Sequence, residues 1–367
     1  MAHNFADALK AADNRPAGFD YMRIILACGV VLMHSASTSY GPGADRDLWM
    51  SPISPFVRII LPMFFALSGF LVAGSMLRCK TIIMFLGLRF IRIYPALAVE
   101  VLLSAFLIGA AVTTFDLSRY FTDPLFARYL VNVTGHISFL LPGVFADNPV
   151  PHIVNAQLWT VPFELICYLS ITLCILAGAK KWHVIAPLAA ALILLAHVGG
   201  RLYRGAVIAE PIDHVAGYLL VAYFLGGVSI YLYRDRIVCS PLWGAVSAIA
   251  SIGLLSFSTG QYLALIPVSY LTAYLGTRNP ARIAMLRGAD YSYGVFLYGY
   301  AIQQTLMFAF PDLRIWWINA ALALPIAFVF AWFSWTFVEK PALRLKSVVT
   351  RLENAWLSLH GKLPRPA

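Results

Sequence analysis

Charge is what this sequence has least of. Only 12% of its 367 residues are Asp, Glu, Lys or Arg, against roughly 25% in a soluble domain. That scarcity excludes an ordinary water-soluble globule and an extended disordered chain, both of which need a polar surface. Cysteine is also sparse and unpatterned. Cys28, Cys79, Cys167, Cys174 and Cys239 show no metal-ligand spacing, so neither a zinc site nor a disulfide framework is expected, and the thiols read as buried and free. The first eighteen residues lack the apolar core and small-residue cleavage site of a signal peptide. With Asp7, Lys10, Asp13, Asn14 and Arg15 they read as a short polar tail. No repeat and no low-complexity run interrupts the rest of the chain.

Apolar residues make up 60% of the chain, gathered in blocks of about 18–23 residues, each long enough to cross a hydrocarbon core of ~30 Å. Inside lipid the backbone must bond within its own segment, which leaves helices or closed-barrel strands. Barrel strands alternate with period two over about ten residues, whereas Leu188 to Ala196 and Ala320 to Ala331 are continuously apolar. The expected fold class is therefore all-α: a polytopic transmembrane helical bundle. Spans are expected at 19–40, 55–77, 93–113, 158–178, 183–199, 215–233, 240–257, 261–277, 291–311 and 315–338. A further segment at 125–142 carries Arg128, Asn132 and His136. If it is re-entrant or interfacial and the N-terminus is cytoplasmic, 19 of the 27 Lys and Arg lie inside and six outside. If it crosses, Lys180 and Lys181 move outside. The positive-inside rule favours ten spans with both termini cytoplasmic, and it accounts for the net charge of +10 without nucleic acid.

An ionisable side chain inside a span costs at least ~2.5–3.5 kcal/mol for Arg or Asp, so each one needs a reason. Arg23 and His34 are 11 residues apart, 20° past three full helical turns, and so share one face about 16 Å apart. Glu164 stands in the opening turns of an apolar helix and is expected to be paired or functional. Arg89 and Arg92 are three apart, just before Tyr94-Pro95 where the chain is expected to enter the membrane. Two guanidiniums at one spot suit phosphate. Glu100 reads as the interior partner of a basic group.

Six stretches, in order, give the chain a resemblance. They are Arg23 with His34; PMFFALSGFLVAG at 62–74; RFIRIYP at 89–95; LWTVPFELICY at 158–168; SYGVFLYGY at 292–300; and VEKP at 338–341. Together they resemble the acyltransferase-3 family of integral membrane enzymes, which O-acylate bacterial cell-surface and exported carbohydrates. The resemblance covers about residues 19–345, leaving 1–18 and 346–367 as cytoplasmic tails. It implies an enzyme of the bacterial inner membrane with acetyl-CoA as the acyl donor, reached from the cytoplasm, and no metal. The implied acceptor is a hydroxyl on an envelope glycan, an exopolysaccharide or a lipid-linked oligosaccharide. It puts the essential histidine on His34, its arginine on Arg23, the CoA-phosphate arginines on Arg89 and Arg92, and the signature carboxylate on Glu164. Ser68, Gly69, Trp159 and Tyr94 are expected to support the site or line it, Ser68-Gly69 as a close helix contact. Many members carry a histidine shortly after the Ser-Tyr-Gly motif. Here that place holds Gly299, flanked by Tyr298 and Tyr300.

Acyl transfer to a sugar needs a base for the hydroxyl proton and donors for the developing oxyanion. His34 is the expected base, with Glu164 orienting it, and direct and covalent transfer both remain open. Arg23 would line the path of the donor's arm. The rival from another class is a transporter or flippase of a lipid-linked glycan. Against it stands the lack of an inverted repeat or matched broken helices.

Overall fold

Local sequence sets where the helices begin. Thr81 accepts a hydrogen bond from the Met84 amide at 3.1 Å and opens a helix at Ile82. Ser240 does the same for Trp243 at 3.3 Å, with Pro241 in the first turn, where its missing N–H is no loss. The computed structural model describes residues 4–203, 215–257, 259–286 and 288–359. Among these residues it is a bundle of helices with only isolated β-bridges.

In chain order, the first helices are α1 (Phe5–Lys10), α2 (Gly18–Tyr40), α3 (Ile60–Arg78) and α4 (Ile82–Leu102). Then come α5 (Pro124–Leu130), α6 (Val161–Leu176), α7 (Ile185–Tyr203), α8 (Gly217–Leu232) and α9 (Pro241–Leu255). The last are α10 (Leu265–Gly276), α11 (Ser292–Ala309), α12 (Trp316–Ser334) and α13 (Lys346–Leu359). Every expected span lies on helix. Six stretches are long and apolar enough to cross a membrane: Gly18–Tyr40, Ser54–Arg78, Ile82–Val112, Ala156–Leu176, Ile185–Tyr203 and Trp316–Leu359. The apolar helices α8, α9 and α10 are shorter.

One boundary differs from expectation. The third span was expected from residue 93, but its helix starts at Ile82 and continues through a π-turn at Leu103–Ile108 to Val112. Those 31 residues would reach roughly 46 Å at 1.5 Å per residue, well beyond a hydrocarbon core of ~30 Å. The part carrying Arg89 and Arg92 is therefore helical without having to sit at mid-membrane. At 125–142 there is only α5, a 3-10 turn to Thr134, and a reversal at Gly135, where φ is 89°. Seven residues give ~10 Å, too short to cross. Asn132 makes the reversal: its Nδ2 donates to the Ser138 carbonyl at 2.8 Å and its Oδ1 accepts from the Ser138 amide at 2.6 Å.

The two tails are docked. Phe5 of α1 is fully buried against Tyr270, ring centroids 5.3 Å apart, and its amide reaches the Ile237 carbonyl. On α13, Glu353 accepts from the Thr81 hydroxyl, which fastens the C-terminal helix to the start of α4. Residues 360–367 of the expected tail, with Lys362 and Arg365, and the loop residues Arg204 and Arg287 lie outside the described residues. At the centre α3 crosses α8 at backbone contact. A Cβ on Gly69 would overlap the Phe224 carbonyl, and one on Gly227 would overlap that of Ala66. The five cysteines are free, and all but Cys28 are fully buried.

Candidate active site

A cavity of about 120 Å³ opens among α2, α3, α4, α6, α8 and α11. Arg23, Ser68, Arg89, Arg92 and Glu164 all line it, so five of the residues singled out in the sequence meet at one place. Its remaining wall is mostly aromatic or aliphatic and includes Phe64, Tyr168, Tyr293 and Phe296.

The arginines are not equivalent. Arg23 donates to Asp290 Oδ2 at 2.9 Å, and Arg92 donates to the same oxygen. The other oxygen, Oδ1, accepts from the hydroxyl and amide of Ser292, the serine of the Ser-Tyr-Gly motif. Asp290 lies just before α11, outside the spans. Burial alone would raise its carboxyl, but the Arg92 and Arg23 guanidiniums and the Ser292 hydroxyl outweigh that and hold it well below the usual carboxylate range. Arg89 pairs with no carboxylate among the described residues. Its Nη2 donates to Ser75 at 3.1 Å, while its Nε is buried without a partner. Asp290 was not anticipated from the sequence. The signal available was an acid two residues ahead of a motif serine.

Glu164 has a partner other than the one expected. It sits on the first turn of α6, where the helix dipole favours a carboxylate, and accepts from the Tyr168 hydroxyl at 2.7 Å. It makes no hydrogen bond to His34. His34 does not line the cavity. Its ring meets Tyr300 edge-on, centroids 5.3 Å apart, and its Nδ1 is buried without a partner. Phe296 lines the cavity, and Tyr300, the ring that His34 meets, lies four residues on along α11, a rise of ~6 Å. Phe64 and Phe296, rings 6.2 Å apart, both line the cavity. Where the family often has a histidine, a Cβ on Gly299 would lie 2.6 Å from Val31 Cγ2. Glycine there lets α11 approach α2 closely, and the neighbouring Tyr300 meets the imidazole instead.

The supporting residues divide. Gly69 makes the α3–α8 crossing and Ser68 faces the cavity. Trp159 is outside the cavity, with its ring on Phe163 at 5.9 Å. Tyr94 stacks on Phe90 at 4.3 Å in a separate groove between α4 and α6. Glu100 was expected to meet a basic group, but its Oε1 accepts from Ser104 and Asn155, each at 2.8 Å. Asn155 also donates to the Leu297 carbonyl, so this carboxyl ties α4 to α11 through neutral groups. No cluster able to hold a metal ion is found among the described residues.

An O-acetyl transferase of Shigella phage Sf6 is 26% identical over 344 residues, which covers 90% of this chain and 96% of the phage protein. Nodulation protein 10 of Rhizobium leguminosarum bv. viciae is 25% identical over 370 residues, covering 91% and 95%. No solved structure matches the chain. The acyltransferase-domain family model matches residues 17–338, and with its multi-pass helical bundle the chain belongs to the acyltransferase-3 family of membrane acyltransferases.

Proposed function

We propose that the protein moves an acetyl group from acetyl-CoA to a sugar hydroxyl of an exported or cell-surface glycan at the bacterial inner membrane, both termini facing the cytoplasm. One observation carries the reading: the half-buried His34, its Nδ1 without a partner, meets Tyr300, which lies one turn along α11 from Phe296 in the lining of a cavity with three guanidiniums. The cavity would take the thioester end of the donor. His34 would meet the acceptor hydroxyl outside the cavity, and side chains must shift to join the two. His34 accepts the hydroxyl proton as the sugar oxygen bonds to the thioester carbonyl carbon. The carbon–sulfur bond then breaks, and the thiolate recovers the proton from the imidazolium to leave as CoA thiol. Arg89, with spare donor capacity, is suited to carbonyl oxygens of the donor's arm. Glu164 and Tyr168 belong to the donor side of the site and no longer serve to orient His34. The name of the phage relative, an O-acetyl transferase, supports acetyl as the group moved.

The test uses purified protein in lipid vesicles with acetyl-labelled acetyl-CoA and candidate envelope glycans. Label should appear in the glycan as an ester released by mild base. Movement of glycan across the vesicle without any labelled ester would replace this reading with transport.

A further inference from the structure

The site leaves a second hollow unused. It lies at the end of the bundle where α2 begins, has a volume of about 220 Å³, and meets the first cavity at Arg23 and Leu71, which line both. Arg15, Arg78 and Arg282 also face it. Four guanidiniums there confront one carboxylate, Asp20, and Arg282 already holds Asp20 at 3.1 Å. Arg23 is likewise taken by Asp290. Arg15 and Arg78 are exposed and make no ion pair among the described residues.

Arg15 is held by a built turn. Asp13 and Asn14 adopt left-handed φ values of 51° and 57°, a conformation that Asp and Asn tolerate better than most residues. Arg282 Nη2 then donates to the Arg15 carbonyl at 2.5 Å, and the Ala17 amide donates to Asn279 at 3.0 Å. One wall of the hollow is aromatic: Phe19 lies 5.1 Å from Phe70, and Phe70 meets Tyr231 edge-on at 5.1 Å. Two free guanidiniums at the mouth of the hollow match a phosphate group, and Tyr231 is the aromatic residue of the lining that keeps exposed surface.

We propose that this vestibule binds the phosphorylated nucleoside end of the acyl donor, with Arg15 and Arg78 on its 3′-phosphate, while the thioester arm passes Arg23 and Leu71 into the deeper cavity. This rests on acetyl-CoA being the donor. An anionic lipid headgroup offers the same phosphate chemistry, so the test separates the two sources.

The experiment compares acetyl-CoA with acetyl-dephospho-CoA, which lacks the 3′-phosphate, in vesicles of phosphatidylcholine alone. For the wild-type protein the KM should be about tenfold higher for the donor without the phosphate, as expected for losing a charge-assisted contact. Combining Arg15→Gln with Arg78→Gln should raise the KM for acetyl-CoA to that same level. The KM for the dephospho donor and the kcat for both should stay unchanged. Arg15→Lys with Arg78→Lys should recover part of the preference. A double Gln variant that keeps the tenfold preference overturns the vestibule while leaving acyl transfer intact. So does a wild-type protein without the preference. The same holds if the Gln variants lose activity equally with both donors, and only once phosphatidylglycerol is added, since the arginines then serve lipid. A wild-type protein that forms no ester from acetyl-CoA overturns the donor reading itself, and this one with it.

Discussion

The two ends of α2 treat polar groups in opposite ways. Near its start, Arg23 shares Asp290 with Arg92, and Ser292 occupies the second carboxylate oxygen. Eleven residues on, His34 keeps Nδ1 buried with no partner. A buried polar group left unpaired costs about 1–3 kcal/mol, so each one calls for a reason. In the proposed mechanism the paired cluster is scaffold and the open imidazole is the reacting end. The same division separates Arg92, which is paired, from Arg89, whose Nε is not, although they lie three residues apart on one helix and line one cavity.

The comparison is broken most severely at His34. His34→Ala should lower the rate of ester formation by about 10³-fold, within the range for losing a general base, with membrane content and unfolding temperature unchanged. A variant that kept the wild-type rate would show the open end to be inert.

At the paired end the effect should fall on stability. Asp290→Asn leaves Arg23 and Arg92 close together without their shared counter-charge, and breaking this half-buried cluster should cost about 1–3 kcal/mol. Denaturation in detergent should show that loss. Wild-type stability in this variant would mean the cluster is not scaffold. Between the two arginines of α4, Arg89→Ala should raise the KM for acetyl-CoA by about tenfold and leave the unfolding temperature alone. Arg92→Ala should do the reverse. Identical effects from both substitutions would erase the distinction between them.

The bundle could be read from the sequence because lipid permits few solutions for continuous apolar segments, and each expected span lies on a helix. The start of α4 could not, because Arg89 and Arg92 look like the edge of a span when only polarity is counted. Thr81, some two helical turns before Arg89, is what begins that helix. The cavity arginines and Glu164 were visible as charges in apolar surroundings. Their partners were not. Asp290 is 267 residues from Arg23 and 198 from Arg92, and no local periodicity carries such a pairing. The pairing of His34 with Glu164 misled because both are expensive to bury, and it was natural to pair them with each other. The fold instead gives Glu164 the tyrosine one turn along its own helix and gives His34 an aromatic neighbour on α11.

The smallest expected effect is a constancy across pH. Asp290 is the group whose carboxyl is held well below its ordinary range; burial opposes this, and Arg92 and Arg23 outweigh it. A carboxylate depressed by folding stabilises the protein fully above its unfolded value of ~3.9, and that contribution is lost only as pH falls through the still lower folded value. Between pH 8 and pH 5 the charge on Asp290 is therefore constant. Because Glu339 lies in electrostatic reach of both Arg92 and Asp290, Glu339→Gln is placed in both backgrounds. The difference in unfolding free energy between that protein with Asp290 and with Asp290→Asn should then be the same at pH 8, 6.5 and 5. If that gap closed on the way down to pH 5, Asp290 would be taking up a proton in that range, which a carboxylate gripped by two guanidiniums does not do. The shared oxygen would then not be the anchor of Arg23 and Arg92, and the paired end of the comparison would lose its physical basis.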